Sequence, residues 1–303
     1  MRRLFAFVLV AAATAALPAQ DLQLPNKPGS FKFAVIGDTG TGDSHQLAVS
    51  QQLTRWRSKF RYDAVLMVGD NLYGGDKTKD YQKEFETPYK ALLDDGVKFY
   101  ASLGNHDNPN ERLYKPFNMN GERYYTFKPE KSSVRFFALD SNYVDAKQLE
   151  WLDKELSASG SDWKIPFFHH PLYSSGETHG SADLQRGLLE PVFVKYGVNL
   201  VLSGHEHFYE RIKPQKGIQY FIIGNSAKVR RGDLTKTDLT AKGWDQGYAF
   251  MLMEIAGDDL TFQTITDTGT TLDFGTVHRT GKTAPTPGRS SQPVETTKGA
   301  PKP

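Results

Sequence analysis

Apolar runs rich in β-branched and aromatic side chains recur at residues 31–36, 64–68, 97–101, 134–139, 165–168, 198–202, 220–223 and 250–255. Runs of this kind read as strands of largely buried sheets. Helical patterning lies between several of them, near residues 45–59, 79–93, 145–156 and 182–195. Strand–helix alternation predicts an α/β protein. Residues 218–266 turn strand-rich, which predicts a second sheet in place of continued alternation. The expected architecture is one domain of two packed mixed β-sheets flanked by helices.

The ends follow neither pattern. Residues 1–20 join a dibasic start, an apolar run over residues 4–16 and small residues beside Pro18. That is the anatomy of a cleaved secretory signal, and the run is short for a bilayer span. A retained anchor or a buried N-terminal helix are the alternatives. Residues 280–303 hold five of the 16 prolines and almost nothing to bury, so they are expected to form a disordered, solvated tail. A catalytic domain over residues 28–279 remains. The expected location is secreted or periplasmic, with no stable membrane association after signal cleavage.

Composition narrows the chemistry. The 303 residues are 38% hydrophobic and 12% aromatic, enough for a large core and too apolar for wholesale disorder. The absence of cysteine excludes disulfides, thiolate nucleophiles and cysteine-ligated metal sites. Any metal must be held by oxygen and imidazole donors. The formal charge of +2 sits at the ends: Arg2, Arg3 and the net +3 of residues 280–303 leave residues 4–279 at −3. A mildly acidic body lacks the clustered Lys and Arg of a nucleic-acid surface, so no nucleic-acid partner is expected.

In open α/β sheets ligands bind beyond the carboxyl ends of strands. After residues 31–36 come Gly37, Asp38, Thr39 and Gly40; after 64–68 come Gly69, Asp70, Asn71, Leu72 and Tyr73. After 97–101 and two further residues come Gly104, Asn105, His106 and Asp107. His169, His170 and Pro171 follow the fifth run, and Ser203, Gly204, His205, Glu206 and His207 follow the sixth. Singly, each has an ordinary reading: Gly-Asp as a turn, Tyr73 as core, His205 as a surface histidine. Together, five strand ends deliver Asp38, Asp70, Tyr73, Asn105, His169, His205 and His207. Seven mixed oxygen and nitrogen donors are too many for one tetrahedral zinc and too poor in carboxylate for calcium. They suit two transition metals sharing a bridging carboxylate, the arrangement that clamps both oxygens of a phosphoester displacement.

These blocks resemble the metallophosphoesterase (calcineurin-like) superfamily and, more narrowly, the purple acid phosphatases, also called tartrate-resistant acid phosphatases. That family's Asp-x-Gly, Gly-Asp-x-x-Tyr, Gly-Asn-His-Asp/Glu, Val-x-x-His and Gly-His-x-His blocks appear in order over residues 38–207, with Pro166 in the place of the valine. The resemblance covers residues 31–270, and Tyr73 is its discriminating member. It implies the αββα sandwich of the superfamily, with Asp38, Tyr73 and His207 holding Fe(III). Asn105, His169 and His205 would hold a second ion, Fe(II), Zn(II) or Mn(II), and Asp70 would bridge. His169 is preferred to His170 because the family places one residue between ligand and proline. Phenol, with a pKa of about 10, is recruited as a ligand only by a strongly Lewis-acidic ion, which fits Fe(III) and predicts a coloured protein.

The resemblance further implies that His106 and His179 bind phosphate oxygens and protonate the leaving alkoxide, although His179 lies one residue further from its ligand than the family spacing. Asp107 is expected to orient His106. The implied activity is that of a secreted acid phosphatase hydrolysing small-molecule phosphate monoesters by direct attack of a metal-bound hydroxide. The alternatives are a phosphodiesterase or nucleotidase on the same metals, or a non-catalytic phosphate- or metal-binding protein. Residues 108–123 and 226–247 are the loops expected to carry specificity.

Overall fold

The computed structural model describes residues 21–279 apart from Lys236. The signal and tail expectations, on residues 1–20 and 280–303, lie outside the described residues. The chain opens with β1 (Phe31–Ile36), α1 (Ser44–Arg57) and β2 (Ala64–Met67), then α2 (Thr78–Tyr81), a π-helical turn over Gln82–Glu86, α3 (Thr87–Asp94) and β3 (Lys98–Ala101). Next come β4 (Tyr125–Phe127), β5 (Val134–Ala138), α4 (Ala146–Ser157), β6 (Trp163–Phe167), α5 (Asp183–Tyr196) and β7 (Leu200–Ser203). Six more strands finish it: β8 (Tyr209–Gln215), β9 (Ile218–Ile223), β10 (Thr240–Trp244), β11 (Ala249–Ala256), β12 (Asp259–Thr266) and β13 (Thr271–His278).

Two mixed sheets result, in the orders β13-β12-β11-β1-β2-β3 and β10-β8-β9-β7-β6-β5-β4. The strand-rich stretch therefore does not build a sheet of its own. Its early strands complete the second sheet, and β11 turns back to pair antiparallel with β1, extending the first. Only tertiary pairing decides that choice.

The inner strands explain the unbroken apolar runs. Phe136 of β5 packs between the sheets while its neighbour Phe137 faces the outer cluster. Leu200 and Leu202 of β7 likewise point inward and Val201 outward. Rings lock the sheets face to face: Phe33 meets Phe136 edge-on at 5.2 Å, and Phe221 meets Phe262 at 4.8 Å. Outside the second sheet, Leu152 and Leu156 of α4 and Leu189 and Phe193 of α5 cover Phe137, Leu139, Val201 and Tyr220. Val49, Leu53 and Trp56 of α1 cover the first. Asp43 caps α1 by accepting from the His45 and Gln46 amides, which fixes where the chain leaves the loop after β1.

Pro166 lies in β6, an interior strand where proline is unusual. Lys164 N–H goes to the Asn199 side chain and Phe168 N–H to the Leu202 carbonyl, and β6 and β7 pair in register only at Phe167 and Leu202. The position between needs no donor, so the proline is tolerated there.

Candidate metal centre

β1, β2 and β3 run parallel in one sheet and β5, β6, β7 and β9 in the other. The loops after β1 and β2 interlock through backbone bonds, Asp38 N–H to Gly69 O and Thr39 N–H to Asp70 O, and those after β6 and β7 through Gly204 N–H to His169 O, each 3.0–3.1 Å. Asp38, Asp70 and His205 all have left-handed backbone, at φ of 53°, 52° and 68°. For non-glycine residues such conformations cost of order 1–3 kcal/mol each and gather at functional sites. Two glycines are required for close approach. A Cβ on Gly104 would collide with the Asp70 carboxylate, and one on Gly204 would sit 2.5 Å from Asp38 Oδ2.

The seven predicted donors converge. Ligand-capable atoms of Asp38, Asp70 and His207 lie within 4.8 Å of one another. Tyr73 Oη donates to Asp70 Oδ2 at 2.9 Å, and His207 Nε2 is 3.4 Å from Asp38 Oδ1. On the other side of Asp70, His169 Nε2 lies 3.4 Å from Oδ1, 2.9 Å from Asn105 Oδ1 and 3.1 Å from His205 Nδ1. Asp70 thus presents one oxygen to the Tyr73 side and the other to the His169 side. His169 is wholly buried, with Nδ1 facing the Val68 carbonyl, which turns Nε2 to the centre. His170 instead faces Ser141 through Nδ1 at 2.9 Å, with its ring 4.5 Å from that of His205.

Protonation energetics fit a cation-binding set. Burial, then the Asp70 charge, pushes the Asp38 carboxyl well above its ordinary range, and Asp38 Oδ1 accepts no hydrogen bond. Burial and both aspartates push the Tyr73 phenol far up. Burial pulls the imidazoles the other way, His207 to about 4 with help from Arg230, His205 to about 2 with help from His169. His169 falls well below its ordinary range for the same first reason. Acids that resist ionising beside bases that resist protonating form a donor set whose charges a multivalent cation would satisfy.

His106 and His179 both stand at the rim. The His106 amide donates to Asp70 Oδ1 at 3.0 Å, and its ring lies 5.1 Å from that of Tyr73. The His179 ring stacks on His205 at 4.2 Å, with Nδ1 3.8 Å from Glu206 Oε2. One expectation is corrected. Asp107 does not orient the His106 ring; its oxygens accept from the amides of Asn71, Leu72 and Gly104 and from Asn71 Nδ2, stapling the β2 loop to the β3 loop. Burial, then the nearby Asp70 charge, raises Asp107 to about 7.

Sequence reasoning missed other supports. Buried Glu84, on the π-helical turn, accepts from the Tyr73 and Gly74 amides at 3.0 and 2.8 Å. Glu206, between two candidate ligands, accepts from Gly180 N–H at 2.6 Å and so anchors the His179 loop. Lone glutamates in polar stretches carry no spacing signal. Tyr209 and Arg211 bind Asp273 and join β8 to β13, a structural task.

The calcineurin-like phosphoesterase family matches residues 31–209. Among curated relatives, purple acid phosphatase 17 of Arabidopsis thaliana is 25% identical over 71% of this chain and 73% of its own length. Tartrate-resistant acid phosphatase type 5 of Homo sapiens is 25% identical over 70% of this chain and 78% of its own. Among solved structures, a purple acid phosphatase from yellow lupin superposes with a TM-score of 0.71 at 17% identity, covering 84% of this chain and 55% of its own. GAP50 of Plasmodium, described as an anchor in the inner membrane complex, gives 0.74 at 19% identity, covering 84% and 90%. At those identities the structural likenesses bear on fold alone.

Proposed function

The chain belongs to the calcineurin-like phosphoesterase family, and from that premise we propose that it is an exported acid phosphatase hydrolysing small phosphate monoesters at a dinuclear metal centre. Asp38, Tyr73 and His207 would hold Fe(III); Asn105, His169 and His205 would hold a divalent Fe, Zn or Mn; Asp70 would bridge. The observation that carries this reading is Asp70 itself, with Tyr73 on one oxygen and His169 opposite the other. When bound, the ions supply Lewis acidity and ionise the attacking water.

The chain's own residues then have distinct tasks. His106 and His179 bind phosphate oxygens and deliver a proton to the departing alkoxide. Asp107 and Glu84 hold the loops that carry Asp70, Tyr73 and Asn105, so the donors are positioned before substrate arrives. Glu206 holds the 174–180 loop, and with it His179. Export is proposed from the composition of residues 1–20; among the described residues no helix is long and apolar enough to cross a membrane.

Paired assays of phenyl phosphate and a bis-aryl phosphate diester in acid, with a visible spectrum of the same preparation, test the reading. A coloured protein preferring the monoester is the expected result. A colourless one preferring the diester would assign the site to phosphodiester chemistry.

A further inference from the structure

The loop after β5 supplies none of the seven donors, yet it is fastened to the metal centre. Asn142 Nδ2 donates to the Leu103 and Gly104 carbonyls at 3.3 and 3.2 Å, tying this loop to the one that carries Asn105. Gln185 Nε2, on α5, donates to Ser141 O at 3.1 Å. Ser141 is wholly buried, and among the described residues its hydroxyl touches only His170, accepting from the His170 amide at 3.1 Å and lying 2.9 Å from Nδ1. A buried hydroxyl gives its proton to an acceptor, and Nδ1 is the acceptor within reach. The proton of the neutral imidazole therefore sits on Nε2. In the imidazolium both nitrogens carry one, so Nε2 is a donor in either charge state. Nε2 has no partner among the described residues and is not enclosed by them. The ring lies 4.5 Å from that of His205 and 5.1 Å from that of His169.

We propose that His170 donates a hydrogen bond through Nε2 to a non-bridging oxygen of the bound phosphate, on the half of the site formed by Asn105, His169 and His205. This rests on the phosphatase reading above. The three imidazoles outside the donor set then divide the site: His106 stands against Tyr73, His179 against His205, and His170 beside both His205 and His169. The donor is set before a ligand arrives. Ser141 fixes both the orientation of the ring and the nitrogen that holds the proton, and Gln185 holds Ser141 in turn. A positioned N–H stabilises charge gathering on the phosphate oxygens without reorganising during the reaction. Ser141 is thus a positioning residue, acting on the phosphate through His170.

The test uses the metal-loaded protein, with inorganic phosphate as calorimetric ligand, phenyl phosphate as substrate and metal content measured for every variant. The amide nitrogen of a glutamine reaches the place of Nε2, and that of an asparagine the place of Nδ1. His170→Asn should therefore weaken phosphate binding at least tenfold, ~1.4 kcal/mol, at unchanged metal content, while His170→Gln retains most of the affinity. Ser141→Ala keeps the imidazole but leaves its proton free to occupy either nitrogen, and should weaken phosphate by an intermediate factor; an unchanged affinity there would overturn the proposal. So would equal weakening by the Asn and Gln substitutions, or no weakening by either. Loss of metal from both would also overturn it, assigning His170 to support of the His205 ring. A wild type that binds phosphate without hydrolysing phenyl phosphate would defeat the phosphatase reading alone, and the binding series would still decide the role of His170. A wild type that binds no phosphate would overturn both.

Discussion

Burial shifts the protonation of several candidate donors, and the direction differs by residue type. Asp38 and Tyr73 are pushed toward keeping their protons, while His205 and His207 are pushed toward losing theirs. His179 is pushed the same way as the other imidazoles, by burial first and then by Arg230, so it sits below the ordinary imidazole range. A general acid must carry its proton, so its contribution falls as pH rises through its pKa, and a depressed pKa places that fall in acid. His179→Ala should lower kcat by roughly 10²-fold or more and abolish the alkaline limb due to this group. A pH–rate profile with that limb intact would remove His179 from the chemistry. These residues were legible in sequence because each follows an apolar run and carries a chemistry-bearing side chain. Glu84 and Glu206 were not, since their roles come from segments that meet only in three dimensions.

Among the elements, the π-helical turn at Gln82–Glu86 has the clearest task. A π-turn re-aims the side chains of the helix it interrupts and is frequent at functional sites. Here it sends Glu84 under the β2 loop to accept from Tyr73 and Gly74. Glu84→Ala leaves the Gly74 amide without that acceptor, and should cost about 1–3 kcal/mol in denaturant unfolding together with reduced metal content. Unchanged stability and metal content would show that the loop holds itself. Helix positions and inner strands read well from the sequence because burial on two faces enforces unbroken hydrophobicity. The outer strands read poorly: β4 has three residues, β10 (Thr-Ala-Lys-Gly-Trp) is mostly polar, and β8 mixes charge with Pro214. Both β4 and β10 are edge strands, where polar residues discourage pairing with other chains.

At the scale of the molecule, two sheets bring the carboxyl ends of their parallel strands to one edge of the sandwich. Asp38, Asp70 and Asn105 come from the first sheet, His169, His205 and His207 from the second, and neither sheet alone holds a complete donor set. The sequence order of the motifs announced the donors, but which sheet receives β11, β12 and β13 depends on pairing with β1, which no local pattern encodes. The central claim is that this junction grips two ions sharing Asp70. Elemental analysis of the purified protein tests it most directly. The account predicts two metal ions per chain, at least one of them iron. One ion or none per chain, in a preparation that hydrolyses phosphate esters at full rate, would contradict it.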